Sequence, residues 1–366
     1  MKKEPSDQIT IMQYVFIING FQVGVGVLSL PREVAEKAGT DGWMAIVLSW
    51  LVGILAGYAW IKAMEKYPEL TPFELFPRLF GTVIGKIVIA GYVVYFGFYS
   101  FLIQVKSMLY IKAWLLPKTP DFVIVSLFAL PTLLIVRSRV RILGRFSELI
   151  FYMTTWMLFI VLIPIKDGSV LHLLPFFKEG LSPIIQAMGV TIYSMVGFEI
   201  SGFLYPYLQN KKYAVRGMIA ANTLTMLTYL FVTIACFIYF SPAEVTEYNQ
   251  PVLNLLKVIE FRFLERFDMV FFAVYLLVVS TAWMPVLYFC SIGSAMVFGK
   301  QNHVPFAFAG MAAIIAITLL VHPNWFHADA WQKLLSKSAI GMAYVFPVLL
   351  CGYIWIYRKA KRRGSH

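Results

Sequence analysis

Ten long apolar runs, roughly residues 9–37, 42–64, 81–114, 120–136, 143–164, 181–208, 213–240, 266–298, 304–322 and 338–358, occupy most of this chain. Most reach or exceed the length needed to cross a bilayer, and too little polar sequence is left between them to clothe a soluble core. The composition of the 366 residues agrees, with 60% hydrophobic and 14% charged and a mean hydropathy of +0.74. In hydrocarbon every backbone polar group must find a partner inside the protein, which leaves helices or a closed barrel. The runs are continuous rather than alternating, so the expected fold is an all-α membrane protein of ten transmembrane helices, retaining its first run as a span.

The net charge of +12 points to anionic lipid headgroups rather than to nucleic acid, because the basic residues form short clusters between the runs. With the N-terminus cytoplasmic, the inner segments hold roughly 19 of the 31 Lys and Arg residues, so both termini are expected to be cytoplasmic. Cys236, Cys290 and Cys351 all fall within apolar runs, without pairing or metal-ligand spacing, and read as small buried hydrophobes. No phosphate-binding loop or zinc spacing is present, and His172, His303, His322 and His327 stand in loops or near helix ends. The expectation is a protein that is not an enzyme and has no metal or cofactor.

Two connectors exceed what a turn requires. Residues 241–266 carry Leu253, Leu256, Ile259 and Phe263 at near-helical spacing beside Lys257, Glu260 and Arg262, the pattern of an amphipathic surface helix, either a simple connector or an outer lid. The stretch KYPELTPFELFPRLFG reads as a short helical elbow.

Within the first run, NGFQVGVGVLSLPRE places Gly20, Gly24, Gly26 and Pro31 near the middle of a span. One reading is close helix packing, since Gly20/Gly24 and Gly53/Gly57 are small-xxx-small pairs. The other is a broken helix, tolerated at membrane depth only where the freed backbone lines a cavity. The sixth run, SPIIQAMGVTIYSMVGFEISGFLYP, repeats the pattern with Gly189, Gly197 and Pro206, and carries Glu199. Interruptions at matching places in two halves of five runs each, about 9–164 and 181–358, are the mark of an inverted repeat with a midplane site.

The motifs GVGVLSLP and SMVGFE resemble the amino acid–polyamine–organocation transporter superfamily, which implies a five-plus-five, LeuT-like core with helices one and six interrupted. More narrowly LPRE, the DGW of Asp41–Trp43, the YPEL of Tyr67–Leu70, the GFE followed by NKKY, and ERFD resemble the spore germination permease family. That resemblance implies the B subunit of a nutrient germinant receptor in the spore inner membrane, with an amino-acid-like ligand and separate A and C subunits as partners.

The backbone at Gly24, Val25, Gly26 and Val27 is expected to receive a ligand carboxylate, through N–H groups at the start of a half-helix. Carbonyls around Tyr193, Ser194, Met195, Val196 and Gly197 would take an ammonium. Phe198, Tyr95, Tyr99 and Trp283 are candidate walls, beside the alternative that they only pack. Glu199, a carboxylate costing about 2.5–3.5 kcal/mol at the midplane, is a candidate gate or proton-linked switch, or else a brace between helices. Ser280 and Thr281 resemble a cation site of related transporters, but the fifth run lacks the lysine found in proton-coupled relatives. With Glu199 as the expected sole pocket charge, a small neutral amino acid fits best. Receptor subunit, amino acid transporter and structural scaffold are the competing functions.

Overall fold

The computed structural model describes residues 7–178, 180–259 and 266–363. Among them the chain is all helix: no strand forms, and the one extended pairing is a bridge between Ile9 and Leu208. The first run is α1 (Ile11–Gln22) and α2 (Leu30–Ala38), separated by a 3-10 turn at Val25–Leu28. Then follow α3 (Gly42–Met64), α4 (Pro72–Phe80), α5 (Thr82–Trp114), α6 (Asp121–Val136), α7 (Val140–Thr154) and α8 (Trp156–Ile160). The second half begins with the divided sixth run, α9 (Leu181–Ser194) and α10 (Ile200–Leu204). It continues through α11 (Ala214–Tyr239), α12 (Glu244–Glu247), α13 (Pro251–Lys257), α14 (Phe267–Val297), α15 (Val304–Val321), α16 (Trp325–Ala339) and α17 (Phe346–Arg363).

Seven helical stretches among the described residues are long and apolar enough to cross a membrane, which makes this a multi-pass membrane protein. Continuous spanning helices are thus fewer than the ten apolar runs. The first and sixth runs are divided, Asp121–Val136 is apolar but shorter, and Leu30–Met64 forms one stretch that joins α2 to α3. The last long stretch also starts at Trp325 rather than near residue 338, because α16, whose Asp329, Lys333 and Lys337 interrupt the apolar run, packs on α5 and continues without a break into α17.

Local sequence explains the ends. Thr10 and Gln13 form a reciprocal capping box that starts α1, at 3.2 and 3.1 Å, and Thr71 with Glu74 does the same for α4. Pro31 sits in the first turn of α2, where its missing N–H is not needed. The KYPELTPFELFPRLFG stretch folds into α4, whose Phe73 and Phe76 join Trp60, Tyr92 and Phe203 in a buried aromatic cluster. The second long connector departs from a surface-lying helix: Val252, Leu253, Leu255 and Leu256 of α13 are all buried, against α11, α14 and the Val25–Leu28 turn. A chain apolar on several faces is pulled into the bundle rather than laid upon it. Glu260, Arg262 and Phe263 lie outside the described residues.

The two divided runs pair off half by half. The residues before α1 and after α10 are joined by backbone hydrogen bonds, Ile9 N–H to Tyr207 O at 2.9 Å and Gln209 N–H to Ile9 O at 3.1 Å. Tyr14 adds a hydroxyl bond to Ser201 O at 3.2 Å. At the other end α2 packs on α9. The gaps between the halves face each other inside the bundle.

Candidate functional site

The first gap opens where α1 ends at Gln22 and the chain turns through Val23 and Gly24 into the 3-10 turn. The N–H groups of Val25 and Gly26 head this turn and have no backbone acceptor among the described residues. The second gap runs from Met195 to Glu199. Gly197 there has φ +128°, and a Cβ on it would stand 2.7 Å from Gln22 Cγ, so both its conformation and its neighbour require glycine. Gly20 has a separate reason: a Cβ there would meet Thr281 Oγ1 at 2.5 Å, which makes it a contact between α1 and α14.

A buried amide network stitches the two gaps together. Gln22 Nε2 donates to Met195 O at 2.7 Å and to Asn222 Oδ1 at 2.9 Å, while its Oε1 accepts from Thr225 Oγ1 at 2.9 Å. Asn19 Nδ2 donates to Thr225 Oγ1 at 2.9 Å. Freed carbonyls are also taken by hydroxyls: Tyr229 donates to Gln22 O at 2.9 Å and Tyr275 to Gly24 O at 2.7 Å. Met195 O, expected to receive an ammonium, is therefore already bonded to Gln22, as are the carbonyls of Gln22 and Gly24 to tyrosines. Protein side chains answer the cost of leaving these groups bare in an apolar interior.

A cavity of about 50 Å³ lies against the first gap and the end of α9, with no residue of the second gap, Gly197 included, in its lining. Of the expected residues, Gly24, Val25, Gly26, Tyr99, Tyr193 and Ser194 line it. Its charged wall residues are Glu33 and Lys106. Glu33 Oε1 accepts from Ser29 Oγ at 2.7 Å. Lys106, only 9% exposed, donates to Gln332 and has Asp329 at 3.8 Å. Ser29, Glu33, Lys106, Tyr193 and Gln332 also wall a larger cavity of about 790 Å³, which reaches Asn249 and Gln250 in the long connector. The small chamber thus continues into a vestibule.

The remaining expected residues stand elsewhere. Val27 lines a different cavity on the other face of the turn, as does Thr281. Ser280 and Thr281 donate to Leu277 O and Val278 O of their own helix, each at 2.6 Å. Phe198 packs edge-on against Tyr344, 4.9 Å between centroids. Trp283 turns to α6, where Nε1 donates to Thr132 Oγ1 at 2.9 Å and the ring lies on Phe128. Glu199 is fully buried away from the chamber lining, accepting from Gly197 N–H at 2.7 Å and from Tyr95 O–H at 3.0 Å. It caps a freed amide of the second gap. The expectation that Glu199 is the sole pocket charge is overturned, and Glu33 with Lys106 takes its place. Glu199→Gln keeps one acceptor oxygen for two donors, so a loss of about 1–2 kcal/mol in stability is expected, with the protein still inserted. Thermal unfolding in detergent beside a nutrient-response assay checks this; an unchanged melting point and full response would remove Glu199 from any structural or gating role.

Gln22, Asn222 and Thr225 were not among the expected site residues. The sequence does carry a signal for them, since amides inside apolar runs are costly and face one another or a cavity. Asn222 and Thr225, three apart in the seventh run, share one helix face.

Divided helices one and six facing one another within an all-helical bundle define the LeuT-like fold. The solved structure of MhsT in complex with L-phenylalanine has this architecture, with a TM-score of 0.68 over 94% of this chain and 88% of that one at 13% identity. A family model described as spore germination protein matches residues 8–325, and the chain belongs to that family. It is 28% identical to spore germination protein A2 of Bacillus subtilis (strain 168), across 99% of this chain and 98% of that protein. It is 25% identical to spore germination protein YndE of the same organism, across 99% of both.

Proposed function

We propose that this protein is the membrane-embedded subunit of a spore nutrient germinant receptor, and that it binds an amino acid in the chamber against the first gap. The observation that carries the reading is the chemistry of one wall. The Val25 and Gly26 N–H groups and the Lys106 ammonium suit a carboxylate, while Glu33 suits an ammonium. The tyrosines at 99, 193 and 229 bound the space left for a side chain. Membership of the spore germination family supports the receptor setting, in the spore inner membrane with A and C subunits as partners. The MhsT fold, solved with an amino acid bound, supports the ligand class. Ligand shifts the subunit between states only through unequal affinity for them.

The test is binding and uptake of a panel of radiolabelled amino acids by the protein in proteoliposomes. Saturable binding without uptake is expected, and Lys106→Met or Glu33→Gln is expected to weaken it about 10- to 100-fold, the worth of one lost hydrogen bond to a charged group. Concentrative uptake would make the protein a transporter. No saturable binding would leave it a scaffold, with the ligand held by another subunit.

A further inference from the structure

The first helix is flanked by a second cavity that shares no wall residue with the chamber. It holds about 80 Å³ behind the Val25–Leu28 turn, bounded by Gly20, Val23 and Val27 on one side and by α7, α8, α11 and α14 on the others. Its surface is mostly apolar, with Ile150, Phe151, Met157 and Phe271 among the wall residues. The hydroxyls facing it are largely committed: Thr154 donates to Ile150 O and Thr155 to Phe151 O, both at 2.7 Å, Thr281 to Val278 O, and Tyr275 to Gly24 O.

Ser147 differs. Its side chain lines the cavity, is 2% exposed, and its Oγ has no hydrogen-bond partner among the described residues. A serine inside a helix ordinarily bonds back to the carbonyl one turn earlier, and a buried polar atom left alone is costly. A lone water is a poor remedy, because an ordered water needs two to four polar partners and the other polar donors on this wall are already spent within the protein, Asn19 Nδ2 on Thr225 Oγ1 and Thr228 on Leu224 O. An apolar cavity of this kind admits small apolar molecules, and the free hydroxyl adds one polar point.

We infer that this cavity is a second binding site, for a small aliphatic molecule bearing a single hydrogen-bonding head group such as a short-chain primary alcohol, with the head on Ser147 Oγ and the chain between Ile150, Phe151 and Phe271. Val23 and Val27 belong both to the wall and to the broken segment, so an occupant contacts the back of the gap whose front faces the chamber. The site stands on its own residues and does not depend on what the chamber binds.

The probe is 3-azibutanol, a photoactivatable short alcohol, applied to the intact protein in phosphatidylethanolamine–phosphatidylglycerol vesicles, with adducts mapped by mass spectrometry. Adducts on Ile150, Phe151, Met157 and Phe271 that saturate and are displaced by 1-butanol are expected. Ser147→Ala is expected to lower this labelling about five- to tenfold, the effect of one neutral hydrogen bond. Labelling by an alkyl diazirine of equal length without the hydroxyl should stay unchanged in that variant. Because Ser147 Oγ bonds nothing among the described residues, the alanine variant keeps its fold, and an unshifted thermal unfolding midpoint verifies this. Labelling that does not saturate and equals that of the exposed Leu149 and Tyr152 would mean lipid fills the cavity, and overturns the inference. So would an alanine variant that labels like the parent.

Discussion

Alanine at Gly197 is expected to cost about 2–6 kcal/mol, enough to unfold many membrane-protein preparations on mild heating. Two terms act together. A side chain at φ +128° is strained whatever the space around it, worth about 1–3 kcal/mol. The new methyl also lands 2.7 Å from Gln22 Cγ and 3.2 Å from Gln22 N, an overpacking worth about another 1–3 kcal/mol because backbone cannot step aside as a flexible side chain does. The matched control is Gly189→Ala in the same run. Gly189 lies inside α9 and an added Cβ meets nothing within 4 Å, so alanine there is expected to be neutral or to stabilise by up to about 1 kcal/mol. Thermal unfolding of the two variants side by side in one detergent reads the difference; equal midpoints would mean the second gap is not held in this conformation.

Gln22→Leu should be the next most damaging change, by about 2–5 kcal/mol. Leucine fills a similar volume, so packing is nearly kept while three hydrogen bonds go. Met195 O and Asn222 lose a donor and Thr225 loses an acceptor, all inside the bundle. A double-mutant cycle with Asn222→Leu isolates the mutual part. Removing both partners leaves fewer orphaned groups than the sum of single changes, so a coupling of about 1–3 kcal/mol is expected. Simple additivity would show that the amides do not act as one network. Because Gln22 also lines the chamber, the single variant should weaken amino-acid binding where the proposed ligand is correct.

The broken first and sixth runs were legible because glycine and proline inside long apolar runs violate the rule that a span closes its own backbone. Which glycine does what was not. Gly24 and Gly26 looked like the demanding positions, yet a Cβ on either would meet only ordinary contacts at 3.7 and 3.8 Å. Gly20 and Gly197 are squeezed by another chain segment instead, and sequence spacing does not report a neighbour 261 or 175 residues away. The chamber's charges were misjudged for a similar reason. Lys106 in the third run reads as a side chain that either snorkels to an interface or pairs with a carboxylate, and it is Gln332 and Asp329 of α16 that hold it beside the vestibule. Trp283 shows the opposite error, an aromatic in a central helix that the fold points at Thr132 rather than at the ligand space.

The strap of main chain between Ile9 and residues 207–209 has a mechanical corollary. Because α1 and α10 are tied together beyond their ends, swinging either alone breaks two hydrogen bonds of about 0.5–1.5 kcal/mol each, whereas a joint movement keeps both. A displacement of one half-helix is therefore passed to the other through main-chain bonds, which couples the two gaps whether or not the chamber is filled.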